Sequence, residues 1–273
     1  MLTRFDFPVA LIASELVGDA ADARPRFRTL AEVGDINAVF PLASLTKPLV
    51  AWSALVAVDR HLLDLDAPAA PELPGATIRD LLAHASGVAP DATAALSAPR
   101  RRRIYSNRGF ELLGQRLQEA TATPLEEWVE AAVLEPLGLA SISVPGSPAH
   151  SGTGSAADLS AFARELAAPT LVSPALAAAA RRPVHPGLAG VLPGYGRQNP
   201  NDFGLGLEIR GAKHPHWTAA ANSPETYGHF GQSGSFIWVD PVARRQAVFL
   251  GGRPFGTVHR ENWPVLSAQV LAL

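Results

Sequence analysis

A serine and a lysine stand three positions apart at Ser44 and Lys47, and both residue types can take part in acyl transfer. Lys47 is one of only two lysines in a chain that carries 21 arginines. Arginine cannot give up its proton near neutral pH, whereas a desolvated lysine can. Of these two residue types, only lysine can therefore accept the proton of a serine nucleophile. The pair therefore indicates a serine nucleophile with a lysine proton acceptor, while the second lysine, Lys213, falls in an ordinary predicted loop.

Two further short segments carry side chains suited to the same chemistry. Tyr105-Ser106-Asn107 supplies a phenol that can pass protons between nucleophile and leaving group, and an amide that can hold Lys47 or a substrate carbonyl. The glycine-rich segment Gly228 to Gly234 contains His229 and directly precedes a predicted strand. Such a segment lets a substrate backbone approach closely, and its N–H groups can donate to an oxyanion. Each segment is a weak signal when it is taken alone.

The helix that must carry the serine and the lysine is predicted over Ser44 to Arg60, where almost every position is apolar. Pro48 falls in the first turn of this helix, where a missing N–H group is tolerated. Residues three apart share one helix face, so Lys47 is expected to reach back to Ser44. The helix N-terminus also offers unpaired N–H groups to negative charge that develops on the serine or on a substrate oxygen.

Short apolar runs predict strands at both ends of the chain, and helices predominate between them. The predicted strands are Val9 to Val17, Phe27 to Val33, Leu205 to Arg210, Ser235 to Val239 and Ala247 to Leu250. Capping residues predict helices that open at Thr77, Thr123 and Ser155, and a closing helix runs from Asn262 to Leu273. A long loop rich in Pro, Gly and Asn is predicted from Pro183 to Phe203.

This order of elements indicates one sheet built from both chain ends, with a mostly helical lobe inserted between them. The expected division is 1–60 with 204–273 for the sheet domain and 61–203 for the lobe, in one structural unit. A length of 273 residues and a hydrophobic content of 47% allow a sizeable core for such a unit.

Composition and charge exclude several classes of protein. The chain has no cysteine, which excludes thiolate catalysis, disulfides and cysteine metal sites. A net charge of −2 indicates no nucleic-acid partner, and the run Arg100 to Arg103 is interpreted as a solvated loop. The apolar stretch Pro8 to Ala13 is too short for a signal peptide and is bracketed by acidic residues, and no apolar run is long enough to span a membrane. We therefore expect a cytoplasmic protein without a membrane partner.

Other candidate sites are weaker. His214 and His216 have no third ligand at a suitable spacing, so neither a metal nor another cofactor is expected. The nucleophile motif Gly-x-Ser-x-Gly is missing, which argues against an α/β-hydrolase.

Taken in order, Ser-x-x-Lys, Tyr-Ser-Asn and His-x-Gly resemble the serine β-lactamase and penicillin-binding superfamily, in its class C-like branch. That branch contains class C β-lactamases, D-Ala-D-Ala carboxypeptidases, D-amino-acid amidases and family VIII carboxylesterases. Connecting segments are similar as well and occur in the same order, namely Leu62 to Asp66, Thr77 to Gly87, Glu135 to Gly138 and Phe203 to Gly206. The resemblance covers the chain from the first strand to the last helix. It implies a bacterial protein with the α+β, β-lactamase/transpeptidase-like fold and its antiparallel sheet.

The resemblance implies a role for each motif residue. Ser44 would be the acylated nucleophile, Lys47 its proton partner, and Tyr105 the base or a proton shuttle. Asn107 would hold the lysine or the substrate, and His229 stands where many relatives have a lysine. Whether Lys47 or Tyr105 is the base stays open, because a neutral lysine needs strong desolvation and a phenolate needs a charged lysine beside it.

The same resemblance implies an oxyanion hole made by the backbone N–H groups of Ser44 and Gln232, with Phe230, Gly231 and Arg253 in contact with substrate. Phe230 departs from the family pattern, in which a threonine or serine hydroxyl helps to bind a substrate carboxylate. Losing one such partner costs about 1.5–3 kcal/mol, and Arg253 is the candidate replacement. Together with the missing signal peptide, Phe230 favours small esters or amides over β-lactams. A β-lactamase or D-Ala-D-Ala carboxypeptidase and a slowly acylating penicillin-binding or sensor module remain the alternatives.

Overall fold

The structure is a computed structural model that describes residues 4–18 and 25–273. Its strands are β1 (Val9–Val17), β2 (Arg26–Gly34), β3 (Val39–Pro41), β4 (Thr153–Ser155), β5 (Gly190–Leu192), β6 (Gly196–Gln198), β7 (Glu208–Ile209), β8 (Tyr227–Gly231), β9 (Ser235–Asp240) and β10 (Arg245–Gly251). Six of them form one sheet in the order β2-β1-β10-β9-β8-β7, and every neighbouring pair is antiparallel. The pair β1–β10 joins the two chain ends, which confirms the predicted α+β fold and sheet.

The helices of the described residues are α1 (Thr46–Asp59), α2 (Ile78–Leu82), α3 (Asn107–Thr121), α4 (Leu125–Val129), α5 (Glu135–Leu137), α6 (Ala156–Ala167), α7 (Pro174–Ala180) and α8 (Thr257–Leu271). A π-helical segment, Glu130–Leu134, joins α4 to α5. The openings predicted at Thr77 and Ser155 are confirmed, because each side chain accepts a hydrogen bond from the backbone three residues later. The opening predicted at Thr123 falls one residue early, since Pro124 occupies the cap position of α4.

The sheet is covered on both faces. Successive side chains of a strand point to opposite sides, so those of β1 enter two different cores. Ala10 and Ile12 of β1 belong to the larger core, which also contains the buried side chains of α1 and α6. Leu11 and Ala13 belong to the smaller core, where Trp263 of α8 packs. Helix α6 contacts β1, β9 and β10, although it lies within the range 61–203 that was assigned to the inserted lobe. The proposed division into a sheet domain and a lobe therefore stays a prediction.

Helix α1 is buried continuously from Thr46 to Ala57, which confirms the predicted central helix. It begins two residues later than predicted, because Ala43–Leu45 forms a 3-10 turn before it. Pro48 lies in the first turn of α1, as expected.

Strand β8 was not predicted, because its two glycines disfavour a strand when the segment is considered alone. In the fold, a Cβ atom at Gly228 would lie 2.1 Å from the carbonyl oxygen of Ile237 on β9, so the close approach of these strands requires glycine there. The strand predicted over Leu205 to Arg210 is reduced to β7, Glu208–Ile209.

The closing helix α8 begins at Thr257, five residues before the predicted start, and contains Pro264 in its interior. The His259 ring accepts a hydrogen bond from the Gly256 N–H at 3.1 Å and closes the first turn. Histidine is not a usual capping residue, so sequence signals did not indicate this start. The long predicted loop is also interrupted, by the hairpin β5–β6.

The interpretation of Arg100 to Arg103 as a solvated loop is wrong for Arg103, whereas the other three side chains are exposed. Arg103 is 2% exposed, and its guanidinium donates to the backbone carbonyls of Ala83, Val184, His185 and Asn201. Arg100 forms an ion pair with the fully buried carboxylate of Asp80 at 2.8 Å. Arg103 satisfies buried carbonyls, and Arg100 pairs with a buried carboxylate. These partners are not apparent from the neighbouring residues in the sequence.

Candidate active site

Ser44 lies in the 3-10 turn between β3 and α1, and it lines a cavity. Ala43, directly before it, has a φ of 46°, in the left-handed region that non-glycine residues rarely occupy. The Thr46 hydroxyl donates to the Ala43 carbonyl oxygen at 2.6 Å and accepts from the Gly152 N–H at 2.9 Å. These bonds hold a sparsely populated backbone conformation that presents Ser44 to the cavity.

Lys47 is fully buried, and its side-chain nitrogen has three oxygen neighbours. Nζ lies 3.1 Å from Ser44 Oγ, 2.7 Å from Asn107 Oδ1 and 2.9 Å from the carbonyl oxygen of Ala149. The amide and backbone oxygens can only accept hydrogen bonds. A neutral amine therefore donates its two protons to these two oxygens, and its lone pair faces the serine hydroxyl.

Burial lowers the pKa of Lys47 from its ordinary value to about 7, while the negative charges of Asp91 and Glu111 act in the opposite direction. A substantial fraction of Lys47 is therefore neutral near pH 7. Because the lone pair faces Ser44 Oγ, this neutral fraction is positioned to accept the serine proton.

Asn107 is the first residue of α3, and its amide is held in one orientation. Ser106 caps this helix by accepting from the Gly109 N–H at 2.9 Å. The Asn107 Nδ2 group donates to Asp91 Oδ1 at 2.8 Å, which leaves Oδ1 directed at Lys47. Because this amide N–H is engaged with Asp91, the geometry favours holding the lysine over binding the substrate.

Tyr105 lies between the lysine and the cavity. Its ring centroid is 4.8 Å from Lys47 Nζ, 4.6 Å from the His84 ring and 5.8 Å from the His229 ring. Burial raises the pKa of the Tyr105 phenol above its usual range, although a hydrogen bond with the Ser44 side chain acts in the opposite direction. The phenol is therefore protonated at neutral pH and can donate or relay a proton.

His229, on β8, is 3% exposed, and its two ring nitrogens have different surroundings. Nδ1 lies 2.7 Å from the Phe230 carbonyl oxygen, a contact that requires a proton on Nδ1. Nε2 then carries a lone pair, and it has no hydrogen-bond partner in the described part of the chain. Burial and the charge of Lys47 lower the pKa of His229 to about 4, so the ring is neutral at neutral pH.

The end of β8 packs against the backbone of the nucleophile turn. A Cβ atom at Gly231 would lie 2.6 Å from the Leu42 carbonyl oxygen and 3.3 Å from the Ser44 nitrogen, so glycine permits this contact. Gln232 follows, and its N–H group has no acceptor among the hydrogen bonds of residues 4–18 and 25–273. The Ser44 N–H opens a helical turn, where the first N–H groups lack helical acceptors. Both predicted oxyanion donors are thus on adjacent segments.

The cavity beside Ser44 has a volume of about 230 Å³. Its lining residues are Ser44, Tyr105, Asn107, Leu192, Pro193, Phe203, Glu208, His229, Phe230 and Gln232. Gly231 lies between two of these residues, against the nucleophile turn. Arg253 is outside this lining, since its exposed guanidinium forms an ion pair with Asp6 at 3.0 Å. The structure therefore brings together the predicted residues with the exception of Arg253.

Glu208 is a lining residue that the sequence analysis missed. Its carboxylate accepts from His216 Nε2 and from Trp217 Nε1, both at 2.8 Å, and lies 3.2 Å from Lys213 Nζ. Burial alone would raise the pKa of Glu208, but Lys213, His216 and the hydrogen bonds lower it to about 2. Lys213 does lie in a loop, as predicted, but the loop is not an ordinary one, because Lys213 is buried there against a carboxylate. The scarcity of lysine that singled out Lys47 was the available signal for Lys213 too.

Across residues 4–18 and 25–273, no group of three or more His, Asp or Glu side chains is arranged to hold a metal ion. Over the same residues, no helix has the combination of length and apolar character that crossing a bilayer requires.

A family model described as Beta-lactamase matches residues 17–271, which is nearly the whole chain. The chain belongs to the β-lactamase family. A crystal structure described as a β-lactamase from Mycobacterium bovis is 46% identical, with a TM-score of 0.91 over 98% of this chain and 96% of that one. The serine hydrolase fold and the resemblance inferred from the motifs are thereby confirmed.

More distant relatives carry other names. A Salmonella gallinarum protein with the provisional name D-alanyl-D-alanine carboxypeptidase is 29% identical over 205 residues, which are 59% of this chain and 47% of that protein. The chain thus spans about half the length of this curated relative. In the Salmonella paratyphi B protein of the same name, the matched segment covers only 16% of that protein. EstCE1, described as a hydrolase with promiscuous acyltransferase activity, shares the fold at 17% identity, with a TM-score of 0.77 over 96% of this chain and 93% of that one.

Proposed function

We propose that this protein is a serine hydrolase that cleaves small esters with no charged group beside the scissile bond, and small amides more slowly, through an acyl-enzyme. The observation that carries the proposal is the buried Lys47 amine, 3.1 Å from Ser44 Oγ, with its other two contacts made to oxygens that only accept. The Ser44 proton passes to neutral Lys47 as Oγ forms a bond to the carbonyl carbon. The resulting oxyanion accepts hydrogen bonds from the N–H groups of Ser44 and Gln232.

Collapse of this intermediate breaks the bond to the leaving group. The leaving oxygen takes the proton from Lys47, and the Tyr105 hydroxyl, whose residue lines the same cavity as Ser44, relays it. Water then attacks the acyl carbon and gives its proton to Lys47. The bond between the acyl carbon and Oγ breaks, Oγ takes that proton back from Lys47, and the acid is released. Lys47 is preferred over Tyr105 as the base because burial lowers the pKa of the amine to about 7 and raises that of the phenol.

The choice of a substrate without a charge beside the scissile bond rests on the groups that face the cavity. His229 presents a lone pair at Nε2, Phe230 presents a ring that cannot donate, and Glu208 is ionised. A substrate carboxylate beside the scissile bond would receive no hydrogen bond from these three groups, one of which is an anion. Each missing donor costs about 1.5–3 kcal/mol, which is about 10- to 150-fold in affinity.

A β-lactamase or D-Ala-D-Ala carboxypeptidase activity is the second candidate. The names of the Mycobacterium bovis and Salmonella relatives favour it, and its substrates carry the carboxylate that this cavity disfavours.

The test begins with a fluorophosphonate probe and intact-mass measurement on the wild type and on Ser44→Ala. We expect one adduct on the wild type and none on the variant, and an equal adduct on both would disprove the assignment of Ser44. A panel of p-nitrophenyl esters, nitrocefin and D-Ala-p-nitroanilide then separates the two candidates. Steady turnover of p-nitrophenyl acetate that far exceeds nitrocefin hydrolysis supports the esterase, and the opposite ranking supports a β-lactamase. A burst without steady turnover would indicate a slowly acylating sensor instead.

A further inference from the structure

A groove of about 800 Å³ lies next to the smaller catalytic cavity. Tyr105 and Pro193 line both spaces, so the groove continues from the cavity that contains Ser44. Its walls are the segment 90–105 and the hairpin β5–β6. The Arg103 N–H donates to the Ala189 carbonyl oxygen at 2.8 Å, which ties the two walls together at the base.

The groove exposes apolar side chains on both walls. Leu96 is 52% exposed on one wall, and Val191 is 60% exposed on the other. Pro90, Ile104 and Pro193 extend this surface. A contiguous exposed apolar surface beside a catalytic cavity is typical of a binding site for an apolar group.

Three exposed arginines border the same groove. Arg101 and Arg102 come from one wall and Arg197 from the other. None of them has a carboxylate partner among the ion pairs of the described residues, whereas Arg100 is paired with Asp80. Arg103 also lines the groove, but its donors are used by backbone carbonyls. The rim is therefore locally positive on a chain whose net charge is −2.

We propose that the groove binds the remote part of the ester substrate, an apolar chain that ends in an anionic group. The chain lies against Leu96 and Val191, and its carboxylate, sulfate or phosphate contacts Arg101, Arg102 and Arg197. This inference rests on the proposed esterase function and adds a substrate class to it. An anion close to the scissile carbonyl is disfavoured by Glu208 and His229, while an anion at the far end of the chain is favoured by the arginines.

The test compares two substrates that differ in one charge, p-nitrophenyl hydrogen octanedioate and its methyl ester. The variant Arg101→Gln/Arg197→Gln removes one guanidinium from each wall. The control Arg26→Gln/Arg28→Gln removes two exposed arginines from β2, at the far edge of the sheet. Melting temperatures establish that all three proteins are folded.

We expect the wild type to have a higher kcat/KM for the anionic ester than for the neutral one. The groove variant should lose this preference by at least about threefold, and the effect should shrink at high ionic strength. The control should keep the preference. A wild type without the preference, or a groove variant that retains it, would overturn the inference.

Binding to Ser44→Ala separates failure of this inference from failure of the proposed function. Monomethyl octanedioate should bind Ser44→Ala more tightly than dimethyl octanedioate, and adding Arg101→Gln/Arg197→Gln should remove the difference. If the difference is present but no ester is hydrolysed, the groove assignment stands and the esterase proposal fails. If esters are hydrolysed and the two ligands bind equally, the groove assignment fails alone.

Discussion

Replacing Asp91 with asparagine tests whether the neutral amine of Lys47 is the catalytic base. The new side chain keeps a carbonyl oxygen for the Asn107 amide, so the hydrogen bond that orients Asn107 is retained while one negative charge is lost. The negative charge of Asp91 raises the pKa of Lys47 against the larger effect of burial. Its removal therefore lowers this pKa further, and the neutral amine persists to lower pH. The acid limb of kcat/KM for an uncharged ester should move to lower pH.

The size of the shift follows from distance and exposure. Asp91 Oδ1 is 2.8 Å from Asn107 Nδ2, and Asn107 Oδ1 is 2.7 Å from Lys47 Nζ, which places the two charges within about 8 Å of each other. Because Asp91 is exposed, an effective dielectric constant of about 40 to 80 applies. The interaction is then about 0.5–1 kcal/mol, and the expected shift is about 0.4–0.8 pH units.

The assay is the pH dependence of kcat/KM with p-nitrophenyl acetate, corrected for spontaneous hydrolysis. The wild type should have its acid limb near pH 7, since burial lowers the pKa of Lys47 to about 7. Glu32→Gln serves as the control, because it removes the same charge from an exposed position on β2. An acid limb that stays in place or moves to higher pH in Asp91→Asn would refute the reasoning. So would an equal shift in the control.

Three further perturbations test other parts of the site. Tyr105→Phe should lower kcat/KM by about 10²- to 10⁴-fold and keep the acid limb near pH 7, so loss of that limb in a pH profile would instead identify the phenol as the base. Phe230→Thr should raise nitrocefin hydrolysis relative to p-nitrophenyl acetate by about tenfold or more, because it restores a donor for a carboxylate, whereas Phe230→Leu should not. The depressed pKa of Glu208, about 2, contributes stability that is present above the unfolded-state pKa of about 4.5 and lost as pH falls through the folded-state pKa. Urea unfolding should therefore show that the free energy of unfolding of the wild type falls by about 3 kcal/mol more than that of Glu208→Gln between those pH values. Equal decreases in the two proteins would contradict the ion pair.

The order of the motifs was enough to predict the family fold and the principal site residues. Ser44 and Lys47 are one helical turn apart, so their contact follows from local geometry. Tyr105, Asn107 and His229 were predicted through resemblance, and the cavity does bring their side chains beside Ser44. The chemical roles of these residues remain predictions for the experiments above.

The features that were not predicted all depend on residues that are not adjacent in the sequence. Strand β8 contains Gly228 and Gly231 because neighbouring backbone approaches these two positions too closely for a Cβ atom. Arg103 is buried because carbonyls from four distant residues converge on it. The carboxylate of Glu208 is buried because Lys213 forms an ion pair with it and His216 a hydrogen bond. None of these partners is apparent from the residues next to each position in the sequence.

The sequence by itself determined which groups are available for catalysis, namely a serine and a lysine at a spacing that a helical turn brings into contact. The tertiary structure decided their protonation states. Asn107 and Ala149, which fix the direction of the Lys47 lone pair, are 60 and 102 positions away along the chain. The desolvation that lowers the lysine pKa comes from burial inside the folded core, and the neutral state of His229 has the same cause. A pKa depends on every charge and dipole within several ångströms, and only the folded chain places them there.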